Sequence, residues 1–211
     1  MSPPVVLTAC VFIGVVLLMI GEARGEARLS ALSKPFASLA FTGLAVSLGA
    51  LDSVYGQAVV AAFVLSLFGD IALLSNAPAA FKGGLGAFFL AHLAFIAGFV
   101  GLGPSLPVTL GTAAGMAVLA VLTLRWLWPN VSADMRPPIV LYVVVVSAMV
   151  ATAAGTLDPV LGVAAFAFAV SDVSVARDRF IKRVFTNRLW GLPLYYGAQV
   201  VFAWSVATRA G

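Results

Sequence analysis

An all-α membrane bundle of about eight transmembrane helices is the fold class this sequence predicts. Three observations lead there. Of the 211 residues, 62% are hydrophobic and only 9% are charged, against about 25% charged in an ordinary soluble domain. The mean hydropathy is +1.09. Apolar stretches near the length a bilayer demands, about 20 residues for a helix, follow one another with only short polar breaks between them. A membrane β-barrel would instead alternate apolar and polar residues in segments of about ten.

The predicted spans are residues 4–20, 35–51, 57–75, 83–101, 106–128, 137–155, 159–176 and 189–207. Turn or charge signals separate them: Gly21-Glu22-Ala23-Arg24, Asn76-Ala77-Pro78, Gly103-Pro104, Pro129-Asn130, Asp158-Pro159 and the basic run from Arg177 to Arg188. Only Met1, Ser2, Pro3 and Pro4 come before Val5, without the cationic lead-in of a cleaved signal peptide, so the first span is expected to be a retained helix. The one cysteine, Cys10, can form no intramolecular disulfide and no cysteine metal site.

The sequence pI near 9.6 does not point to nucleic acid, because the cations sit in breaks between apolar spans rather than on one basic face. Arg24, Arg28, Lys34, Lys82, Arg125, Arg136, Arg177, Arg179, Lys182, Arg183 and Arg188 fall in or beside the odd-numbered loops, and Arg209 alone falls on the other side. Cytoplasmic loops carry the excess of Lys and Arg. The odd loops are therefore expected inside and both termini outside, in a bacterial inner membrane.

The chain reads as one transmembrane domain, 1–211, with half-repeats at 1–102 and 103–211. Lys34-Pro35 opens the second predicted span and Arg136-Pro137 the sixth. Lys34 to Asp70 is 36 residues, as is Arg136 to Asp172, so both pairs share an offset of 102. A parallel repeat of this kind has its pseudo-twofold axis along the membrane normal and would set the two acids at equal depth. Chance alignment within a low-complexity apolar chain is the alternative.

Most acids, namely Glu22, Glu26, Asp52, Asp134 and Asp158, lie at breaks, where a solvated loop charge is the simple reading. Asp70 and Asp172 each lie about a turn inside a predicted span. A charge at mid-helix costs roughly 2.5–3.5 kcal/mol on insertion scales, and intramembrane acids mark functional sites by default. His92, in the middle of the fourth span, shares a face with Leu85, Phe88, Phe95 and Phe99. It is either a packed histidine bonded to a carbonyl or a pocket residue. A lone histidine cannot supply the three or four ligands of a zinc site. Tyr142, Tyr195 and Tyr196 fit interfacial anchors as well as pocket hydroxyls. Gln199 needs a partner in hydrocarbon, and Lys34 is either a topology charge or a phosphate contact. Together these residues converge on the cytoplasmic half of six spans, which predicts one polar pocket inside the bundle.

At these positions the chain resembles the YhhN family of membrane proteins, the lysoplasmalogenases. The matching elements are Lys34-Pro35, Ser66-Leu67-Phe68-Gly69-Asp70, the run F-K-G-G-L-G-A-F-F-L-A-H from Phe81 to His92, Ser171-Asp172 with Ala176 and Phe180, and Tyr195-Tyr196-Gly197-Ala198-Gln199. Phe95 stands where the family often carries tyrosine. The resemblance implies hydrolysis of the vinyl ether bond of a lysophospholipid, with Asp70 and Asp172 matching the paired acidic positions and membrane lipids as surroundings.

The residues themselves suit that chemistry. Protonating a vinyl ether at its outer carbon gives an oxocarbenium ion, which water captures. Glycosidases meet a similar transition state with two carboxyl groups, and no metal or cofactor is required. Lys34, His92, Tyr142, Tyr195, Tyr196 and Gln199 would then bind substrate around the two acids. A proton-coupled transporter is the alternative, since intramembrane carboxylates also serve proton coupling. Its broken helices should fall at matched positions, whereas Gly43, Gly98 and Pro193 do not match. Intramembrane aspartyl proteases carry Tyr-Asp and Gly-Leu-Gly-Asp around their acids, and neither occurs here.

Overall fold

The computed structural model describes residues 2–209. The expected placement of the chain ends falls in part on Met1, Ala210 and Gly211, which lie outside the described residues. The described chain is an all-helical integral membrane protein. Its helices are α1 (Pro3–Arg24), α2 (Ala27–Ser47), α3 (Val54–Ala72), α4 (Pro78–Gly101), α5 (Leu106–Leu127), α6 (Arg136–Gly155), α7 (Pro159–Phe180) and α8 (Phe185–Ala207). Seven of them are long and apolar enough to cross a bilayer; α8 is the exception. It fails on composition because Asn187, Tyr195, Tyr196 and Gln199 lie along it, and all four are buried. Polar residues in a membrane bundle face its interior, so the least apolar helix is the most enclosed one.

Local chemistry sets the ends. Gly25 adopts a left-handed conformation, φ 68°, and closes α1. Glu26 N–H then donates to Gly21 O at 2.8 Å, and α2 starts at once. Ser53 caps α3 by accepting from Gly56 N–H at 3.0 Å, and Asp158 caps α7 by accepting from Val160 N–H at 2.8 Å. Such side-chain acceptors satisfy the orphan donors of a first turn.

Three sequence expectations need correction. Lys34-Pro35 does not open α2, which begins at Ala27 and runs through Pro35. Lys34 is consequently a buried residue, 6% exposed, and not a loop charge. The cation asymmetry loses one member and keeps its direction. Asp172 lies more than two turns from the end of α7, because that helix continues to Phe180 through Arg177, Asp178 and Arg179. Gln199 lies in the second half of α8, because α8 begins at Phe185.

Consecutive helices pack as hairpins, α1 on α2, α3 on α4, α5 on α6 and α7 on α8, and the packing of α2 on α8 and α4 on α6 joins the halves. At the centre Phe41, Phe63, Phe88, Phe95, Phe99, Phe168, Tyr195, Tyr196 and Phe202 form a buried aromatic cluster. Close helix approaches flank the acids. A Cβ on Gly69 would lie 2.6 Å from the Phe88 ring, and one on Gly191 would strike Ser174. Phe88 cannot yield easily, since its ring meets Phe168 and Tyr195 edge to face. By contrast α5 buries only Met116 and Leu127 along its length, so it stands at the rim, facing lipid.

Candidate active site

Asp70 projects from the last turn of α3 into the interior and is 2% exposed. Its Oδ2 accepts from Ser38 Oγ–H at 2.7 Å and from Tyr195 O–H at 2.8 Å. Its Oδ1 faces the Lys34 ammonium at 3.3 Å. The position of Lys34 is itself fixed, for Tyr196 O–H donates to its carbonyl at 3.3 Å. Two hydroxyls and an ammonium around one carboxyl offer a carboxylate three donors. Burying such a charge is tolerable only when it is paired and hydrogen-bonded, and here α2, α3 and α8 each contribute to that.

Asp172, on α7, sits in different company. Its Oδ2 accepts from Tyr142 O–H at 3.1 Å and lies 3.4 Å from His92 Nε2. The other imidazole nitrogen, Nδ1, is 2.6 Å from Phe88 O. A carbonyl oxygen can only accept, so Nδ1 carries a hydrogen. Nε2 is therefore the nitrogen that faces Asp172. His92 Nε2 has no well-aligned hydrogen bond. The 3.4 Å contact is therefore a loose one, which a small rotation of the partly exposed Asp172 side chain would close.

Both acids line one cavity of about 290 Å³. Lys34, Tyr142 and Tyr195 share that lining, while His92, Tyr196 and Gln199 stand behind it. The six spans that carry those polar residues, α2, α3, α4, α6, α7 and α8, all contribute to the lining, and so does α5. From α5 come Met116, Leu119, Ala120, Thr123 and Leu127. These residues are mostly apolar, which suits an acyl or alkenyl chain lying against polar groups at one end. His92 and Gln199 are wholly buried. Gln199 Nε2 donates to Ser66 Oγ at 3.5 Å, and among the described residues its Oε1 has no hydrogen-bond partner. Phe95, 1% exposed, packs on Phe63, Phe168 and Phe202 and does not line the cavity.

Two residues here escaped the sequence reading. Ser38 holds Asp70 and lies one turn after Lys34 on the same helix face, so the i, i+4 spacing could have revealed it. Arg188 lines the cavity from the start of α8 and was read only as a loop cation.

The family model described as YhhN family matches residues 29–206. Proteins called lysoplasmalogenase in Mycobacterium bovis (strain ATCC BAA-935 / AF2122/97) and Mycobacterium tuberculosis (strain CDC 1551 / Oshkosh) are each 35% identical over 123 residues, covering 56% of this chain and 46% of the relative. The chain thus spans about half the length of the curated relatives it matches. No solved structure matches.

Proposed function

This chain belongs to the YhhN family, and we propose that it is a membrane hydrolase cleaving the vinyl ether bond of a lysoplasmalogen to a fatty aldehyde and a glycerophospho-base. The observation that carries the reading is that two chemically unlike carboxyls line one largely apolar cavity. Asp70 faces the Lys34 ammonium and the hydroxyls of Ser38 and Tyr195. Asp172 faces the His92 imidazole and the Tyr142 hydroxyl.

The assignment of roles follows. A proton passes from the Asp172 carboxyl to the outer vinyl carbon, and the alkene π pair forms the new C–H bond. Positive charge then spreads over the inner carbon and the ether oxygen, facing the fixed negative charge of Asp70. Water adds to the inner carbon and returns one proton to Asp172. The hemiacetal's C–O bond breaks to give the aldehyde, and its hydroxyl proton ends on the released glycerol oxygen. One water is consumed, and the acid is restored. Tyr142 keeps Asp172 directed at the cavity, and Tyr195 does the same for Asp70.

The test uses purified protein in detergent with a 1-alkenyl lysophospholipid and its 1-acyl counterpart. Aldehyde should form from the first and no fatty acid from the second, because an ester needs a nucleophile or activated water at a carbonyl. Fatty acid release at a comparable rate, or no aldehyde at all, would defeat the proposal. The transporter alternative is less well supported, since α2, α4 and α8 run unbroken through Gly43, Gly98 and Pro193.

The same proposal sets the cavity in the cytoplasmic half of the membrane, supported by the cation asymmetry. A periplasm-dependent reporter inserted between Gly103 and Pro104 should be active, and one inserted between Ile181 and Lys182 silent. The opposite pattern would turn the site toward the outer leaflet.

A further inference from the structure

A second cavity, of about 320 Å³, adjoins the first. It lies where α3 and α7 end and α4 and α8 begin. Leu73, Phe81, Val175, Phe180 and Arg188 line both cavities, so the two are immediate neighbours. The character of the lining changes sharply between them. The outer cavity adds Arg179, Lys182 and Arg183 with Ser75, Asn76 and a single acid, Asp178.

That acid is already committed. Asp178 accepts from Arg188 at 3.0 Å and from Asn187 Nδ2–H at 3.1 Å, and Arg188 also faces Glu22 at 3.5 Å. Among the described residues, Arg179, Lys182 and Arg183 have no carboxylate in ion-pair range. Two of them are nevertheless held in place. The Arg179 guanidinium lies 4.6 Å over the Phe81 ring, and Arg183 donates to Asn76 Oδ1 at 2.7 Å. A purely topological charge would have no need of such anchors. Phe81 belongs to both cavities, so Arg179 stands at the junction between the apolar chamber and the water-facing one.

We propose that this outer cavity is the binding site for the phosphodiester anion of the lipid substrate, with Arg179, Lys182 and Arg183 as its ligands. The inference rests on the lysophospholipid reading above and deepens it. Asp172 and Arg179 lie on the same helix, about 10 Å apart along its axis at 1.5 Å per residue. A glycerol backbone and an extended arginine side chain together bridge that span. Anchoring the phosphate here sets the vinyl ether beside Asp172 and sends the alkenyl chain toward α5. Guanidinium groups suit a phosphate because their donors are planar and charge-assisted.

Binding separates this proposal from the catalytic one. The probe is a non-hydrolysable 1-alkyl ether lysophospholipid, compared with a 1-alkylglycerol of the same chain, each titrated against full-length protein in detergent. The readout is the shift of the thermal midpoint. The variant is the double substitution Lys182→Gln with Arg183→Gln, at two exposed positions outside the catalytic pair. Losing contacts to a charged group should weaken binding of the phosphorylated lipid at least about tenfold, while the alkylglycerol binds both proteins equally. In the vinyl ether assay the same variant should show a raised KM with kcat little changed. Unchanged binding of the phosphorylated lipid, or an equal loss for the alkylglycerol, would overturn the proposal. Displacement of the lipid by millimolar inorganic phosphate would also overturn it, by making a free anion the ligand. Should wild type hydrolyse no vinyl ether lipid, the catalytic reading falls and this binding comparison still decides the anion site.

Discussion

Asp172→Asn should lose vinyl ether hydrolysis by about 10²–10⁴-fold, the usual worth of one positioned acid or base. The amide preserves size and can still accept from Tyr142, but it cannot give a proton to the vinyl carbon. His92→Gln should fall less far, since the carboxyl remains and only its imidazole neighbour is gone. Adding Asp70→Asn to Asp172→Asn should cost little more, since residues acting as a unit are not additive. Turnover of variants that elute like wild type provides the check. Near wild-type turnover by folded Asp172→Asn would make the carboxyl structural and remove the acid from the mechanism.

What the sequence revealed and what it hid have separate physical causes. The eight helices were legible because each apolar run is bounded by a glycine, a proline or charges. The two acids were legible because a short charged side chain inside hydrocarbon is costly enough to need a reason. The start of α2 was not. Arg28, Ser30, Ser33 and Lys34 lower its hydropathy, yet Ser30, Ser33 and Lys34 are buried against neighbours. Gly21 leaves the room, since a Cβ there would meet Ser30 Oγ at 2.8 Å. The end of α7 misled for a related reason: Arg177, Asp178 and Arg179 stop the apolar run without stopping the helix. Hydropathy reports where lipid ends, and hydrogen bonds report where the helix ends. The part played by α5 left no signal at all. Its cavity-facing Leu119 and Ala120 differ in no way from its lipid-facing Val118 and Val121, because both surroundings are apolar.

Lys34 carries the clearest energetic consequence of that misread helix start. As an opening residue of α2 it would be a solvated charge, and replacing it would change stability little. As a residue 6% exposed, 3.3 Å from a carboxyl that is 2% exposed, it is one half of a buried ion pair. Removing one partner leaves the other charge buried and uncompensated, typically at about 3–5 kcal/mol, whereas replacing both is often close to neutral. Lys34→Met should therefore be strongly destabilised, with a much lower thermal midpoint in detergent and weaker resistance to denaturant. Asp70→Asn alone should also lose stability, since it strands the ammonium. The double variant, Lys34→Met with Asp70→Asn, should recover much of the loss, because Ser38 and Tyr195 can still bond a neutral amide. The difference between the double variant and the sum of the singles measures the coupling directly. If the stability losses simply add, the pair is not coupled. If they cancel while activity stays absent, stability and catalysis separate cleanly. Lys34 then acts by keeping Asp70 charged and buried, and the negative charge facing the cavity is what the reaction loses.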